Sequence, residues 1–170
     1  MTNRTDSLRL SRTVLRTLIK LNLLAGALIL LLLLWTLIAP DFVMRALGAY
    51  GSASTLLGMR MIMVIGISSV PITHVVLSRL LQMVDTVSEG NAFIAQNARR
   101  LQIIAWAVLS LEVMHFIVVL IGKSVSTPSH PVHIDWNFSL TRWLAILLLF
   151  VLSRVFEEGT RMREDLEGTV

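Results

Sequence analysis

The sequence predicts an all-α integral membrane protein, a four-helix bundle whose two termini lie on the cytoplasmic side. Three observations lead to this prediction. Of the 170 residues, 55% are hydrophobic and only 15% are charged, whereas about 25% of the residues in a typical soluble domain are charged. The apolar residues are collected in four long runs, as in membrane helices. The basic residues lie between these runs and are divided unequally between the two sides.

The composition also excludes several classes of site. The chain has no cysteine, which rules out disulfides, thiolate metal sites and cysteine nucleophiles. Its mean hydropathy is +0.74 and its pI is about 10.6. The basic residues are scattered among apolar runs, which is typical of the cationic flanks of membrane helices. A nucleic-acid-binding surface would cluster them on one face instead, so we expect no direct contact with nucleic acid.

The first span runs from Leu21 to Ala39 without a charged residue and ends at Pro40 and Asp41. About 20 apolar residues are needed to cross a bilayer core of roughly 30 Å. A cleaved signal peptide is the alternative interpretation. The run is longer than a typical signal-peptide core, however, and no A-x-A-like cleavage site follows it. We therefore expect a retained helix.

Three further spans follow. The second begins near Met59 and contains Pro71, which predicts a kink where nearby serines or a neighbouring helix bond to the freed carbonyl. The third extends over about Ile103–Ile121. The fourth, about Leu140–Val155, is the shortest.

Orientation follows from the positive-inside rule, which places the side richer in Lys and Arg in the cytoplasm. Eleven of the 15 Lys and Arg residues fall on one side: Arg4, Arg9, Arg12, Arg16, Lys20, Arg79, Arg99, Arg100, Arg154, Arg161 and Arg163. The other side has Arg45, Arg60, Lys123 and Arg142. We therefore expect residues 1–20 to form a basic cytoplasmic segment, residues 21–158 the membrane domain, and residues 159–170 a polar cytoplasmic tail.

The cytoplasmic flanks have two features of their own. Arg12, Arg16 and Lys20 recur every four residues and form one cationic stripe on a helix. This stripe is either a topology signal or a surface for anionic headgroups or an acidic partner. In the tail, oppositely charged residues four apart predict that the fourth helix continues into the cytoplasm. Met162 and Leu166 belong to a thin apolar edge of that helix.

Ionisable residues within the spans are candidate functional groups. Glu112 and His115 lie three residues apart on one helix face, with Glu112 near the middle of the third span. A charge at that depth costs about 2.5–3.5 kcal/mol. We therefore expect a neutral carboxylic acid that hydrogen-bonds to a serine or a histidine, such as His74, on the second span. The group either fixes helix register or forms a proton- or ligand-responsive site.

No metal or other cofactor is expected. Glu-x-x-His occurs in di-iron helix bundles, but those sites need several more carboxylates than these spans contain. His130, His133 and Asp135 have suitable donor atoms for a metal. Their setting, a Pro-containing connection without cysteine, favours a solvated loop.

Two segments resemble a known family. These are "EGNAFIAQNARRLQIIAW" before and into the third span and "VFEEGTRMREDLEGTV" at the end of the chain. They are similar to motifs of bacterial four-helix membrane proteins grouped as domain of unknown function 2975. The matching residues are Gly90, Asn91, Phe93, Asn97, Arg100, Leu101, Phe156, Gly159, Asp165, Glu167 and Thr169. Ala92 stands where the family often has Pro, and Met162 where it has Leu. The resemblance extends over essentially the whole chain from the first span onward.

The resemblance implies a location and a partner but no enzymatic activity. Members of this family are frequently encoded beside a small helix-turn-helix regulator, which implies a membrane partner for a cytoplasmic DNA-binding protein at the bacterial inner membrane. Both motifs fall on the cytoplasmic side of the predicted topology. We therefore expect partner contacts at Asn91, Phe93, Asn97, Arg100, Asp165 and Glu167.

The sequence leaves two other classes of function open beside this regulatory one. A small proton- or ligand-coupled transporter would use Glu112, His115 and His74, and would have to form a pathway by homo-oligomerisation, because one chain with four spans is small for a pathway. An enzyme is not expected, because no nucleophile–base pair, phosphate-binding loop or metal-ligand cluster is evident.

Overall fold

The computed structural model describes residues 2–46, 53–90, 92–125 and 139–167. The helices are α1 (Thr2–Ile38), α2 (Pro40–Ala46), α3 (Ala53–Ser88), α4 (Ala95–Val125) and α5 (Leu140–Glu167). Every regular element in these ranges is helical, which confirms the predicted all-α class. The number of helices differs from the predicted four, because the short α2 follows α1 after a single residue.

The break between α1 and α2 occurs at Pro40, whose missing N–H costs nothing at the first position of a helix. Asp41 in the first turn of α2 and Arg45 in its last turn complement the helix dipole. The rings of Trp35 and Phe42 stack across the break, with centroids 5.8 Å apart. Backbone hydrogen bonds from Ala39 to Trp35 and from Val43 to Ala39 also cross the break, so α2 stays joined to the end of α1.

Three helices are long and apolar enough to span a membrane, within Arg9–Ile38, Thr55–Ser88 and Ala95–Ser124. With 37 and 36 residues, α1 and α3 are each about 55 Å long at 1.5 Å per residue. They exceed a hydrocarbon core of roughly 30 Å, so both must extend well beyond it. The sequence suggested that the membrane domain begins after residue 20 and ends at residue 158. α1 and α5 each continue as one helix through these positions.

The helices pack in chain order as an open array. α3 lies between α1 and α4, α5 packs against α4, and α2 contacts α1. Across the described ranges no other pair of helices packs extensively. This arrangement differs from a closed four-helix bundle. Lipid is as apolar as leucine, so no hydrophobic force drives the outer helices together to close the bundle.

The α1–α3 seam follows a regular spacing of three and four residues. The α1 residues that contact α3, or are half-buried in the same register, are Arg12, Leu15, Ile19, Asn22, Gly26, Ile29, Leu33 and Thr36. This spacing is typical of left-handed, coiled-coil-like packing. At the tightest point, a methyl group added to Gly26 would lie 2.8 Å from Cγ2 of Val70. Only a glycine allows the two helices to approach this closely.

Polar contacts fix the register of this seam at both ends. Nε of Arg12 lies 2.6 Å from Oδ1 of Asp85. At the opposite end, a guanidinium N–H of Arg60 donates to the carbonyl of Thr36 in the last turn of α1. The latter contact satisfies a carbonyl that has no partner within the helix and places a cation at the negative end of its dipole.

Pro71 lies inside α3 without ending it. Nδ2 of Asn22 on α1 donates to the carbonyl of Val70, the residue before the proline, at 3.0 Å. The hydroxyls of Ser68 and Ser69 bond instead within their own helix, to carbonyls three or four residues back. The carbonyl that the proline frees is that of Ile67, four residues back. None of these three hydrogen bonds reaches it, so Asn22 ties α1 to α3 beside the proline without filling the predicted role.

One end of the array collects both described chain termini. The contacts between successive helices show that neighbours run antiparallel: the start of α1 meets the end of α3, and the start of α4 meets the ends of α3 and α5. We call this the basal end and define it by Arg12, Asp85, Asn97 and Phe156. The start of α1 and the end of α5 therefore lie at the same end of the array.

The Gly26 contact can be tested against a second glycine of the same seam. Gly26→Ala should lower the free energy of unfolding by about 1–3 kcal/mol, since its methyl group meets a stiff β-branched side chain. Gly66→Ala is the matched control, because its methyl group would lie 3.8 Å from Ile29. It should be neutral or stabilising, as alanine favours a helix. Thermal unfolding in detergent measures both, and Val70→Ala should rescue Gly26→Ala. Equal effects of the two glycine substitutions would contradict the close approach.

Candidate functional site

The two segments that carried the sequence resemblance meet at the basal end. Phe93 precedes α4, and its ring lies 5.1 Å from the ring of Phe156 on α5 at an interplanar angle of 31°. Phe93 also covers Gly159, where an added methyl group would lie 3.0 Å from Cδ1 of the ring. Phe156 and Gly159 are three residues apart and so share one helix face. The Phe-x-x-Gly pattern thus forms the seat for Phe93.

Asn97 fastens the turn between α3 and α4. It is fully buried, with 0% of its surface exposed. Its Nδ2 donates to the carbonyl of Ala92 at 2.8 Å and to Oγ1 of Thr86 at 3.0 Å, and its Oδ1 accepts from Nη1 of Arg100 at 2.8 Å. Gly90 completes the turn with a φ of 85°, a conformation that glycine adopts without strain.

This burial changes the role expected for two residues. Asn97 has both amide hydrogens and its oxygen engaged inside the protein, so it presents no polar atom to a partner. Arg100 is half-buried and also donates to the carbonyl of Gln82 and to Oε1 of Gln96, each at 3.3 Å. The structure therefore assigns Asn97, and most of the bonding capacity of Arg100, to holding the turn.

The other expected contact residues lie differently. Phe93 is partly exposed although it packs on α5, and Asp165 is exposed near the end of α5. Asn91 lies outside the described residues, as does the side chain of Glu167, whose backbone ends α5. Phe93 and Asp165 are thus the expected contacts that the structure places at the surface.

The structure has a groove between α4 and α5 that was not predicted from the sequence. It has a volume of about 350 Å³ and starts close to the Phe93 seat. Its buried floor consists of the small residues Ala98, Ser153 and Thr160. The flanking polar and charged residues are Arg99, Gln102, Arg154, Glu157, Arg161 and Glu164. The sequence signal was the seven-residue spacing of Ser153 and Thr160, which puts two small residues on one face of α5.

Glu112 contacts α5, not α3. One of its carboxylate oxygens lies 3.4 Å from Nη1 of Arg142, with 18% of the Glu112 side chain and 45% of the Arg142 side chain exposed. The expected neutral acid bonded to a serine or a histidine of the second span is therefore replaced by an ion pair. The reason is helix register: Glu112 lies two heptads beyond Ala98, which lines the α4–α5 groove.

The two histidines do not join this pair. His115 is exposed on α4, and His74 is half-buried on α3, where its Nδ1 has no hydrogen-bond partner. Within the described part of the chain, no hydrogen bond links Glu112, His115 and His74. His130, His133 and Asp135 lie outside the described residues, and in the remainder no three acidic or histidine side chains gather into a metal-binding group.

The ion pair also fixes how far α5 extends along α4. α4 continues 13 residues beyond Glu112, about 20 Å at 1.5 Å per residue. α5 begins at Leu140, only two residues before Arg142. Between Arg142 and Arg154 α5 has 11 uncharged residues, about 17 Å. The fourth span predicted over Leu140–Val155 is therefore a helix whose apolar part matches about half of a bilayer core.

Comparison with known proteins confirms the sequence resemblance. The family described as "Protein of unknown function (DUF2975)" matches residues 60–170. The match includes both motifs, most of α3 and all of α4 and α5, but it begins inside α3 and so covers less than expected from the first span onward. No curated protein and no solved structure matches the chain.

The role assigned to Asn97 predicts a stability effect. Asn97→Ala should lower the free energy of unfolding by about 1–3 kcal/mol, because buried groups of Ala92, Thr86 and Arg100 lose a partner. Gln102→Ala, on an exposed position of the same helix, is the control and should change little. Thermal unfolding in detergent and protease cleavage at the α3–α4 turn report the effect. Equal stability of the two variants would rule out the clamp.

The Glu112–Arg142 pair predicts strong coupling between two substitutions. Glu112→Gln or Arg142→Gln alone should destabilise by about 1–3 kcal/mol, since each leaves a partner uncompensated in apolar surroundings. The double variant should be closer to the wild type than the sum of the single effects. A double-mutant cycle on thermal unfolding measures the coupling. Additive effects would show that the two side chains act independently.

Proposed function

This chain belongs to the DUF2975 family, and we propose that it is a multi-pass membrane regulator that binds a cytoplasmic helix-turn-helix protein at its basal end. One observation carries the proposal. The two motif segments pack together through Phe93, Phe156 and Gly159, and Phe93 is 63 residues from Phe156 in sequence. The residues that match the family motifs therefore form one end of the molecule. Among the described residues within the spans, Glu112, His115 and His74 do not come together into a comparable cluster.

The proposed topology places the basal end in the bacterial cytoplasm. The positive-inside rule supports this orientation, because 11 of the 15 Lys and Arg residues belong to segments around that end. α1, α3 and α4 cross the inner membrane, and α5 occupies the half nearer the cytoplasm. Both termini then lie on the cytoplasmic side, and the apolar surfaces of α1, α3 and α4 face lipid.

The outer part of α5 has the chemistry of a docking surface. Met162 and Leu166 lie four residues apart on one face and are 56% and 72% exposed. Three of the last four residues of α5 are acidic, namely Glu164, Asp165 and Glu167. An acidic surface with an apolar edge complements the basic face that a DNA-binding domain presents to DNA. A regulator bound in this way would have its DNA-binding face covered.

The length of α5 makes this surface accessible. From Arg154 to its end, α5 continues for 13 residues, about 20 Å. The headgroup region of one leaflet is about 5–8 Å thick. The tail therefore carries Met162 and Leu166 beyond the headgroups, where a soluble partner can reach them. The role we propose is binding, with no catalytic step.

The transporter alternative has less geometric support. Glu112 is engaged by Arg142, and His115 is exposed on the surface of α4. His74 lies on α3 and shares no hydrogen bond with either of them among the described residues. A relay would need these groups within reach of one another or of intervening water.

Capture of the regulator tests the proposal. Full-length protein in detergent should retain the helix-turn-helix protein that the family resemblance leads us to expect beside it. Asp165→Ala with Glu167→Ala should weaken retention by about tenfold, the effect of losing 1.4 kcal/mol of binding energy. Leu166→Asp should weaken it further by placing a charge on the apolar edge. Asp41→Ala removes an acid from α2 at the opposite end and should have no effect.

The control variants make this outcome decisive. Thermal unfolding of each variant shows whether the protein is intact, and the exposed tail positions should leave it unchanged. Retention that is insensitive to Asp165, Glu167 and Leu166 would remove the tail from the proposal. Absence of any retention by the wild type would overturn the regulatory role.

A further inference from the structure

We propose that the groove between α4 and α5 binds the phosphate of an anionic phospholipid in the cytoplasmic leaflet. The proposal goes beyond the regulatory role and rests only on the membrane placement, not on the protein partner. Three properties of the groove support it: its depth along the helices, the balance of charges on its walls, and its shape.

The depth of the groove is marked by an aromatic pair. Trp106 and Phe150 meet edge to face at 5.4 Å and 84°. They lie one turn along α4 and α5 from Gln102 and Ser153, which line the groove. Trp106 is 57% exposed, and exposed tryptophans are enriched where the hydrocarbon core meets the headgroups. The groove therefore begins at the level of the lipid phosphates.

The charge near this level is positive. Nη1 of Arg154 lies 3.2 Å from Oε2 of Glu157, and Nη2 of Arg161 lies 3.8 Å from Oε1 of the same residue. Arg99 is exposed on the α4 wall and makes no ion pair or side-chain hydrogen bond among the described residues. Nη1 of Arg161 also lies 4.0 Å from Oε2 of Glu158. Two carboxylates thus accompany three guanidinium groups in this part of the molecule, and the net charge is positive because of Arg99. The other acidic wall residue, Glu164, is 14 residues beyond Phe150 on α5, about 21 Å away from the aromatic pair.

The shape of the groove suits a compact headgroup. Its floor consists of small side chains, which leaves a volume of about 350 Å³ between the helices. The floor hydroxyls of Ser153 and Thr160 donate to carbonyls of their own helix, at 2.7 and 2.8 Å. The donors left for a phosphate are therefore the arginines and the amide of Gln102. Guanidinium groups are suited to bidentate phosphate contacts, and basic pockets between membrane helices on the cytoplasmic side bind anionic headgroups.

This donor set predicts the kind of selectivity. Recognition through guanidinium groups depends on the negative charge of the phosphate more than on the alcohol attached to it. Phosphatidylglycerol should therefore bind better than phosphatidylcholine, whose headgroup has no net charge. Trp106 and Phe150 lie beside the site and leave an apolar surface for the acyl chains, which a free phosphate cannot use.

Native mass spectrometry of the full chain in detergent tests the proposal. The protein is titrated with phosphatidylglycerol or with phosphatidylcholine, and the bound lipid is counted. Wild-type protein should retain phosphatidylglycerol about tenfold more strongly, as expected for 1.4 kcal/mol from charge-assisted contacts. Arg99→Gln with Arg154→Gln should remove this preference. Arg9→Gln with Arg16→Gln removes the same charge from exposed positions on α1 and should preserve it.

Two further arms separate the remaining explanations. Gln102→Trp fills the groove without changing its charge and should also reduce retention of phosphatidylglycerol. Inorganic phosphate at millimolar concentration should not displace the lipid; displacement would show a site for free phosphate and overturn the lipid assignment. Equal retention of the two lipids, or equal loss in the α1 control, would also overturn it.

The same variants distinguish this proposal from the regulatory one. Arg99→Gln with Arg154→Gln should leave capture of the helix-turn-helix protein intact, because the tail surface is unchanged. If lipid selectivity is lost while capture persists, the groove and the docking surface are separate sites. If capture fails in the wild type while lipid selectivity remains, only the regulatory role is overturned.

Discussion

The buried amide of Asn97 is the interaction on which the order of the basal end depends. It joins Thr86 at the end of α3 to the carbonyl of Ala92 in the following turn. This bond fixes the turn just before Phe93, so the ring of Phe93 is directed onto α5. Phe156 and Gly159 then receive that ring. One satisfied amide therefore sets the relation of three helices, because each later contact needs the earlier one in place.

Sequence patterns predicted the four long helices but not the short α2, since length and hydrophobicity are properties of each long segment by itself. They failed where two segments had to be aligned. Asn97 lies in a polar stretch, which suggested an exposed residue, whereas the structure buries it because the chain reverses there. Arg142 was assigned to the outer side because it follows a polar connection, and Glu112 was given partners on α3. The registry between α4 and α5 decides both, and no single run of residues records that registry. The groove was missed for the same reason, since its two walls come from different helices.

The open array explains why so much apolar surface remains uncovered. Each inner helix has two neighbours, and α1 and α5 form the edges. Leucine and isoleucine side chains are exposed along α1 and the apolar part of α5. In water this surface would favour association by about 25 cal/mol for each Å² removed from solvent. In lipid that force is absent, so specific contacts such as the Gly26–Val70 approach and the Arg12–Asp85 pair must determine which helices meet.

The position of α5 depends mainly on α4, since it packs extensively against no other helix in the described part of the chain. The two helices are joined at three levels: by the Glu112–Arg142 pair, by the rings of Trp106 and Phe150, and by Phe93 seated on α5. The groove extends from the second level past the third, since Arg161 and Glu164 also line it, and the tail continues from there. A headgroup in the groove that changed the α4–α5 spacing would therefore also move the tail. Linkage requires the reverse effect as well. If lipid in the groove changes the affinity of the tail for a protein partner, that partner must change the affinity of the groove for lipid by the same factor.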